Sequence, residues 1–187
     1  MDQMRSRLRA RLPSQNQVFL VFSVIVFVVF SWTLIREFFQ VPSWLKYMVL
    51  GDILVITAYI LAFALFESLL VLGFLLMLSV VFPVQIFRDY FIAQGCTLVS
   101  VAGLGAVMLQ ENISLVYHLK VTELIYYPLF ILLGIVILVF ALAFVFDRLS
   151  FLPRLIATIA DRMTVFTYLY VPLGLIALVI VILRNLW

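Results

Sequence analysis

Apolar positions run along this chain in long blocks, broken only by charges and prolines. An α-helix rises about 1.5 Å per residue, so about twenty apolar residues carry it across a hydrocarbon core roughly 30 Å thick. On that measure the blocks predict an all-α polytopic transmembrane helix bundle of six spans. The first runs from Val18 to Ile35 and is closed by Arg36 and Glu37; Trp44 and Tyr47, in the loop that follows, suit an interfacial aromatic belt. The block from Tyr47 to Phe87 is too long for one ordinary span, and its charges are Asp52 and Glu67. Dividing it into two helices by a turn at Phe66-Glu67-Ser68 keeps the Glu67 carboxylate at the water interface. In mid-bilayer it would cost about 2.5–3.5 kcal/mol on insertion scales.

The fourth segment, Phe91 to Leu109, is the least apolar and the richest in small residues. Gly95, Ser100, Gly103 and Ala106 fall at spacings that let helix backbones approach closely, so this helix is expected at the centre of the bundle. A substrate-lining role, with Gln94 and Thr97, is the sharper alternative. The polar stretch from Gln110 to Glu123 carries the single histidine, His118, read as a solvated loop residue beside Lys120. A fifth span follows from Leu124 to Phe146 and a sixth from Val165 to Leu183.

Between those two lies the one amphipathic stretch. Leu152, Leu155, Ile156, Ile159, Ala160 and Met163 share one helical face, opposite Arg154, Thr158, Asp161 and Arg162. The pattern predicts a short interfacial helix from Pro153 to Met163, lying in the membrane plane between spans five and six.

Composition fixes the class independently: 67% of the 187 residues are hydrophobic and 11% charged, against about 25% charged in soluble domains. So much apolar surface needs lipid as its solvent. Residues 1–16 read as a basic cytoplasmic arm carrying Arg5, Arg7, Arg9 and Arg11, and residues 17–187 as a single transmembrane domain. No aromatic residue interleaves the arginines, which argues against nucleic acid as partner. The first apolar block exceeds the roughly 7–15 residues of a signal h-region and has no small-residue cleavage site, so it reads as an uncleaved span. The expected location is the plasma (inner) membrane with the amino terminus cytoplasmic. Under six spans, lysines and arginines divide equally between the two sides; five spans, with the fourth segment not crossing, would put more of them on the cytoplasmic side. Hydropathy favours six.

Candidate chemistry is sparse. One cysteine, Cys96, and one histidine exclude intrachain disulfides and most haem or cluster ligand sets, and no catalytic or nucleotide-binding motif occurs. No cofactor or metal is expected, and catalysis is not supported. Asp52 stands well inside a predicted span; it forms either an intramembrane ion pair with Arg36 and Arg88 or part of a proton or cation path. Arg148, Arg154 and Arg162, with the amino-terminal arginines, are candidates for contact with lipid headgroups or a neighbouring subunit. These features give three readings of function. The first is a non-catalytic structural or scaffold subunit of a larger membrane complex, with the lipid bilayer and other membrane proteins as partners. The alternatives are a small transporter or channel for an ion, lipid or hydrophobic solute, and a membrane-embedded lipid-modifying enzyme built on Arg36, Asp52, Arg88 and Asp89.

Overall fold

The computed structural model describes residues 12–83, 87–111 and 121–186. Arg5, Arg7, Arg9 and Arg11 of the basic arm, and His118 and Lys120, lie outside the described residues. The fold is all-α. Among the described residues five helices follow one another: α1 Gln15–Trp44, α2 Leu50–Val81, α3 Phe91–Glu111, α4 Val121–Arg148 and α5 Phe151–Leu186. Each contains a segment long and apolar enough to cross a membrane.

Two expected features are corrected. The turn at Glu67 is absent, and α2 is one helix of 32 residues with Glu67 near its middle. The described residues therefore hold five long apolar helices where six spans were expected. Breaking the helix at residue 67 would leave about four N–H and four C=O groups without intrahelical partners, each costing several kcal/mol in hydrocarbon. That outweighs the insertion cost of one carboxylate. The separate interfacial helix is also absent, because Pro153–Met163 forms the first part of α5, continuous through 36 residues. No glycine or proline interrupts the chain between Pro153 and Pro172, so nothing ends a helix there. Of its apolar face, Ile156, Ala160 and Met163 pack on the core shared with α1 and α3, whereas Leu155 and Ile159 are exposed.

Local chemistry explains several helix ends. Ser14 caps α1 in a reciprocal pair with Gln17: the Ser14 N–H donates to Gln17 Oε1 at 2.9 Å, and the Gln17 N–H donates to Ser14 Oγ at 3.4 Å. α1 does not stop at Arg36 and Glu37 but runs two turns further, past Pro42, to Trp44. The α4–α5 connection is only Leu149 and Ser150.

Side-chain contacts give the directions. Val21 meets Gly95 and Val28 meets Gly103, so α1 and α3 run the same way. Phe27 with Phe166 and Phe30 with Tyr170 align α5 with them. Thr57 against Glu37 sets α2 antiparallel to α1, and Tyr90 against Asp147 sets α4 antiparallel to α3. The five helices thus alternate in direction along the chain. α1, α2 and α5 form its centre, around Val26, Phe30, Ala58, Leu61, Leu65 and Ala177. α3 packs on α1 and α5, and α4 packs chiefly on α3. α3 is buried to the same extent as α1 and more than α2, α4 or α5.

Candidate functional site

α2 and α3 meet near one end of the bundle, where Leu75 approaches Gly95. Towards the other end they border a groove floored by α1. Its outer part is a cavity of about 500 Å³ lined by Trp32, Thr33, Arg36, Glu37, Glu67 and Gln110, among others. Its inner part, about 390 Å³, shares Trp32, Thr33, Glu67 and Ala106 and is otherwise lined mainly by apolar residues, including Val28, Val29, Leu104 and Val107. Both volumes fall in the roughly 300–1,000 Å³ range of small-molecule pockets.

The polar part is built from turns of helix that sequence reading treated as boundaries. Glu37 is 93% buried (7% exposed). Its Oε1 accepts a hydrogen bond from the Thr57 hydroxyl, while its Oε2 is buried with no hydrogen-bond partner among the described residues. The same hydroxyl hydrogen is shared with the Ile53 carbonyl one turn back, at 2.9 Å. The Arg36 guanidinium lies 5.8 Å from the Trp32 ring centroid, within cation–π range of about 6 Å. The Trp32 indole N–H donates to Gln110 Oε1 at 3.1 Å, joining α1 to α3 across the groove. Glu67 is exposed on the groove wall. It stands seventeen residues into α2, about 25 Å from its start and about 21 Å from its end at 1.5 Å per residue.

The groove combines two residues that sequence reading assigned to other tasks, Glu37 as a helix stop and Glu67 as a turn. A findable signal for Glu37 was the apolar and aromatic run Phe38-Phe39 beyond it, which continues the helix. Of the residues expected to matter, Arg36, Ser100, Gly103 and Ala106 line the groove. Gly95 is buried against Val21 at the closed end. Asp52 is exposed in the first turn of α2, where a negative charge suits the helix dipole. Arg88 lies just before α3, at the opposite end of α2 from Asp52 and about 45 Å along that helix. The structure does not bring those two together. Arg154 and Arg162 are exposed on α5, and Arg148 stacks 5.3 Å from the Phe144 ring centroid.

Beside Arg148, the Tyr90 hydroxyl donates to Asp147 Oδ1 at 2.6 Å. That bond, with burial and the charges of Asp147 and Asp89, raises the Tyr90 pKa above its ordinary 10.0. Gln94 donates from Nε2 to the Val139 carbonyl at 3.4 Å, a second tie between α3 and α4.

Among the described residues no group of three or more histidine, cysteine, aspartate or glutamate side chains is placed to hold a metal. The fold defines the class as a multi-pass α-helical membrane protein. No family model, curated protein or solved structure matches the chain.

Proposed function

We propose that this protein is a small transporter that carries a cationic solute through its groove. The observation that carries this reading is Glu37, a carboxylate held almost wholly out of solvent with one oxygen unpartnered on a cavity that also exposes Glu67. An ionised intramembrane carboxylate is costly, and a counter-charge is one way in which that cost is offset. Two carboxylates against one guanidinium leave the groove net negative, so a cation is the ligand that completes it.

The charge distribution over the five helices supports one orientation. Arg88, Arg148 and Arg154 lie at or near the end of the bundle where α1 begins, whereas Arg162 stands eleven residues into α5, about 16 Å along it. With the four arginines that precede α1 in the sequence, that end has the larger share of lysine and arginine and reads as the cytoplasmic one under the positive-inside rule. The amino terminus is then cytoplasmic, the carboxyl terminus lies on the far side, and the polar cavity belongs to the far half of the bilayer.

Reconstitution in liposomes tests the reading. Uptake across a series of radiolabelled alkylammonium ions, from methyl to dodecyl, down an imposed gradient should exceed that of empty vesicles for at least one member and fall at least tenfold for it in Glu67→Gln. Rates equal to empty vesicles for every member of the series would remove the transport reading.

A non-catalytic subunit of a membrane complex is the second reading. It is favoured by α4, which packs chiefly on one neighbour and exposes Phe130, Leu132, Ile137 and Phe144. Co-purification of other membrane proteins in fixed stoichiometry would support it. The lipid-modifying reading needed Arg36, Asp52, Arg88 and Asp89 to converge, and Arg88 and Asp89 belong to the opposite end of the bundle.

A further inference from the structure

The polar cavity and the apolar cavity are one continuous groove, and their shared wall is Trp32, Thr33, Glu67 and Ala106. We infer that its ligand is a single-chain membrane amphiphile with an ammonium head, the head held between Glu37 and Glu67 and the tail laid along Val28, Val29, Leu104 and Val107. This rests on the cation reading above and names the substrate class.

Three features select that occupant. Charge selects the head: Glu37 and Glu67 line the same cavity, and the buried Glu37 Oε2 has no hydrogen-bond partner among the described residues, so an ammonium seated there would meet two carboxylates. A charge-assisted hydrogen bond of that kind is about twice as strong as a neutral one. Chemistry along the groove selects the tail, because the polar groups cluster at the outer end while the inner end presents valine, leucine, alanine and glycine. A small hydrated cation would leave that inner surface unused. Shape selects a single chain, since one groove leads inward from the head site. Its depth there depends on Gly103: a Cβ at that position would stand 2.8 Å from Val28 Cγ1, so the two helices close on each other directly behind the tail.

Trp32 sits at the junction of head and tail and is a built-in reporter. The protein has three tryptophans, and replacing Trp44 and Trp187 by phenylalanine leaves Trp32 alone. In nanodiscs of uncharged lipid, a dodecyl ammonium brominated along its tail should quench Trp32 saturably, and unbrominated dodecylammonium should reverse the quenching. Neither dodecanol nor ethylammonium at the same concentration should compete, since each has only half of the ligand. Glu67→Gln and Glu37→Gln should each weaken binding about tenfold or more, the equivalent of about 1.4 kcal/mol. Ala106→Phe, which fills the junction and leaves both carboxylates, should abolish it, with helical content and thermal midpoint confirming that each variant folds. A Gly73→Ala control, at a position with nothing within 4 Å of the new Cβ, should bind as the parent does. Equal competition by ethylammonium would overturn the amphiphile and leave a simple cation site. Equal competition by dodecanol, or quenching unchanged in both carboxylate variants, would overturn the head assignment. Saturable binding without flux in liposomes would refute transport while leaving this inference standing.

Discussion

The Thr57 hydroxyl donates to Glu37 across the α1–α2 pair and supplies the hydrogen-bond partner that this buried carboxylate has among the described residues, leaving Oε2 with none. Thr57→Val removes that donor and keeps the shape. The buried carboxylate is then left without compensation, at a cost of about 1–3 kcal/mol. Adding Glu37→Leu removes the acceptor as well, and the double variant should recover most of the loss. Thermal unfolding in mild detergent checks both. A double variant less stable than Thr57→Val alone would show that Glu37 is held by something other than this bond.

Glycine substitutions should rank by what the new Cβ meets. At Gly174 it would stand 3.0 Å from Phe30 Cζ and 3.1 Å from Leu65 Cβ. Leu65 Cβ is fixed to its backbone and cannot rotate away, so Gly174→Ala should cost about 1–3 kcal/mol through overpacking. At Gly103 the obstacle is a Val28 methyl at 2.8 Å, held to one preferred rotamer within α1, so Gly103→Ala should cost a similar amount. Gly134→Ala, with nothing within 4 Å, should be neutral or slightly stabilising. Unfolding midpoints of the three variants give the order directly.

Tyr90 and Asp147 predict an alkaline loosening of α4. The Tyr90 pKa is raised in the folded state, mainly by its hydrogen bond to Asp147. The folded protein thus holds this proton more tightly than the unfolded chain. The contribution is complete below the ordinary 10.0 and is lost as pH rises from there through the folded value. Between pH 8 and pH 11 the parent should lose more stability than Tyr90→Phe does, and the two curves should converge at the alkaline end. Parallel curves would mean that the Tyr90–Asp147 bond does not hold α4.

The class, the first helix core and the extents of α3 and α4 were legible because long apolar blocks leave a membrane chain few alternatives. The lost boundaries share one cause. Charges were read as ends of spans, yet Glu37 and Glu67 both sit within helices, because the groove between α1, α2 and α3 gives them somewhere to point. That groove is a tertiary object, made by α2 and α3 meeting at Leu75 and Gly95 and bordering open space beyond, and no spacing along one helix encodes it. The amphipathic face of Pro153–Met163 was visible, but its partner was not. Periodicity shows which face is apolar and is silent on whether lipid or α1 covers it.

The placement of Glu67 in mid-helix on a groove open to the far side is the claim on which the rest depends. Glu67→Cys in a Cys96→Ala background tests it, using membrane vesicles of known sidedness and a membrane-impermeant, positively charged methanethiosulfonate reagent. Modification is expected from the face that carries the carboxyl terminus, faster than by a negatively charged reagent of similar size, and slowed by dodecylammonium. Rapid modification from the amino-terminal face would contradict it, since that is where a turn at residue 67 between two separate spans would put the thiol.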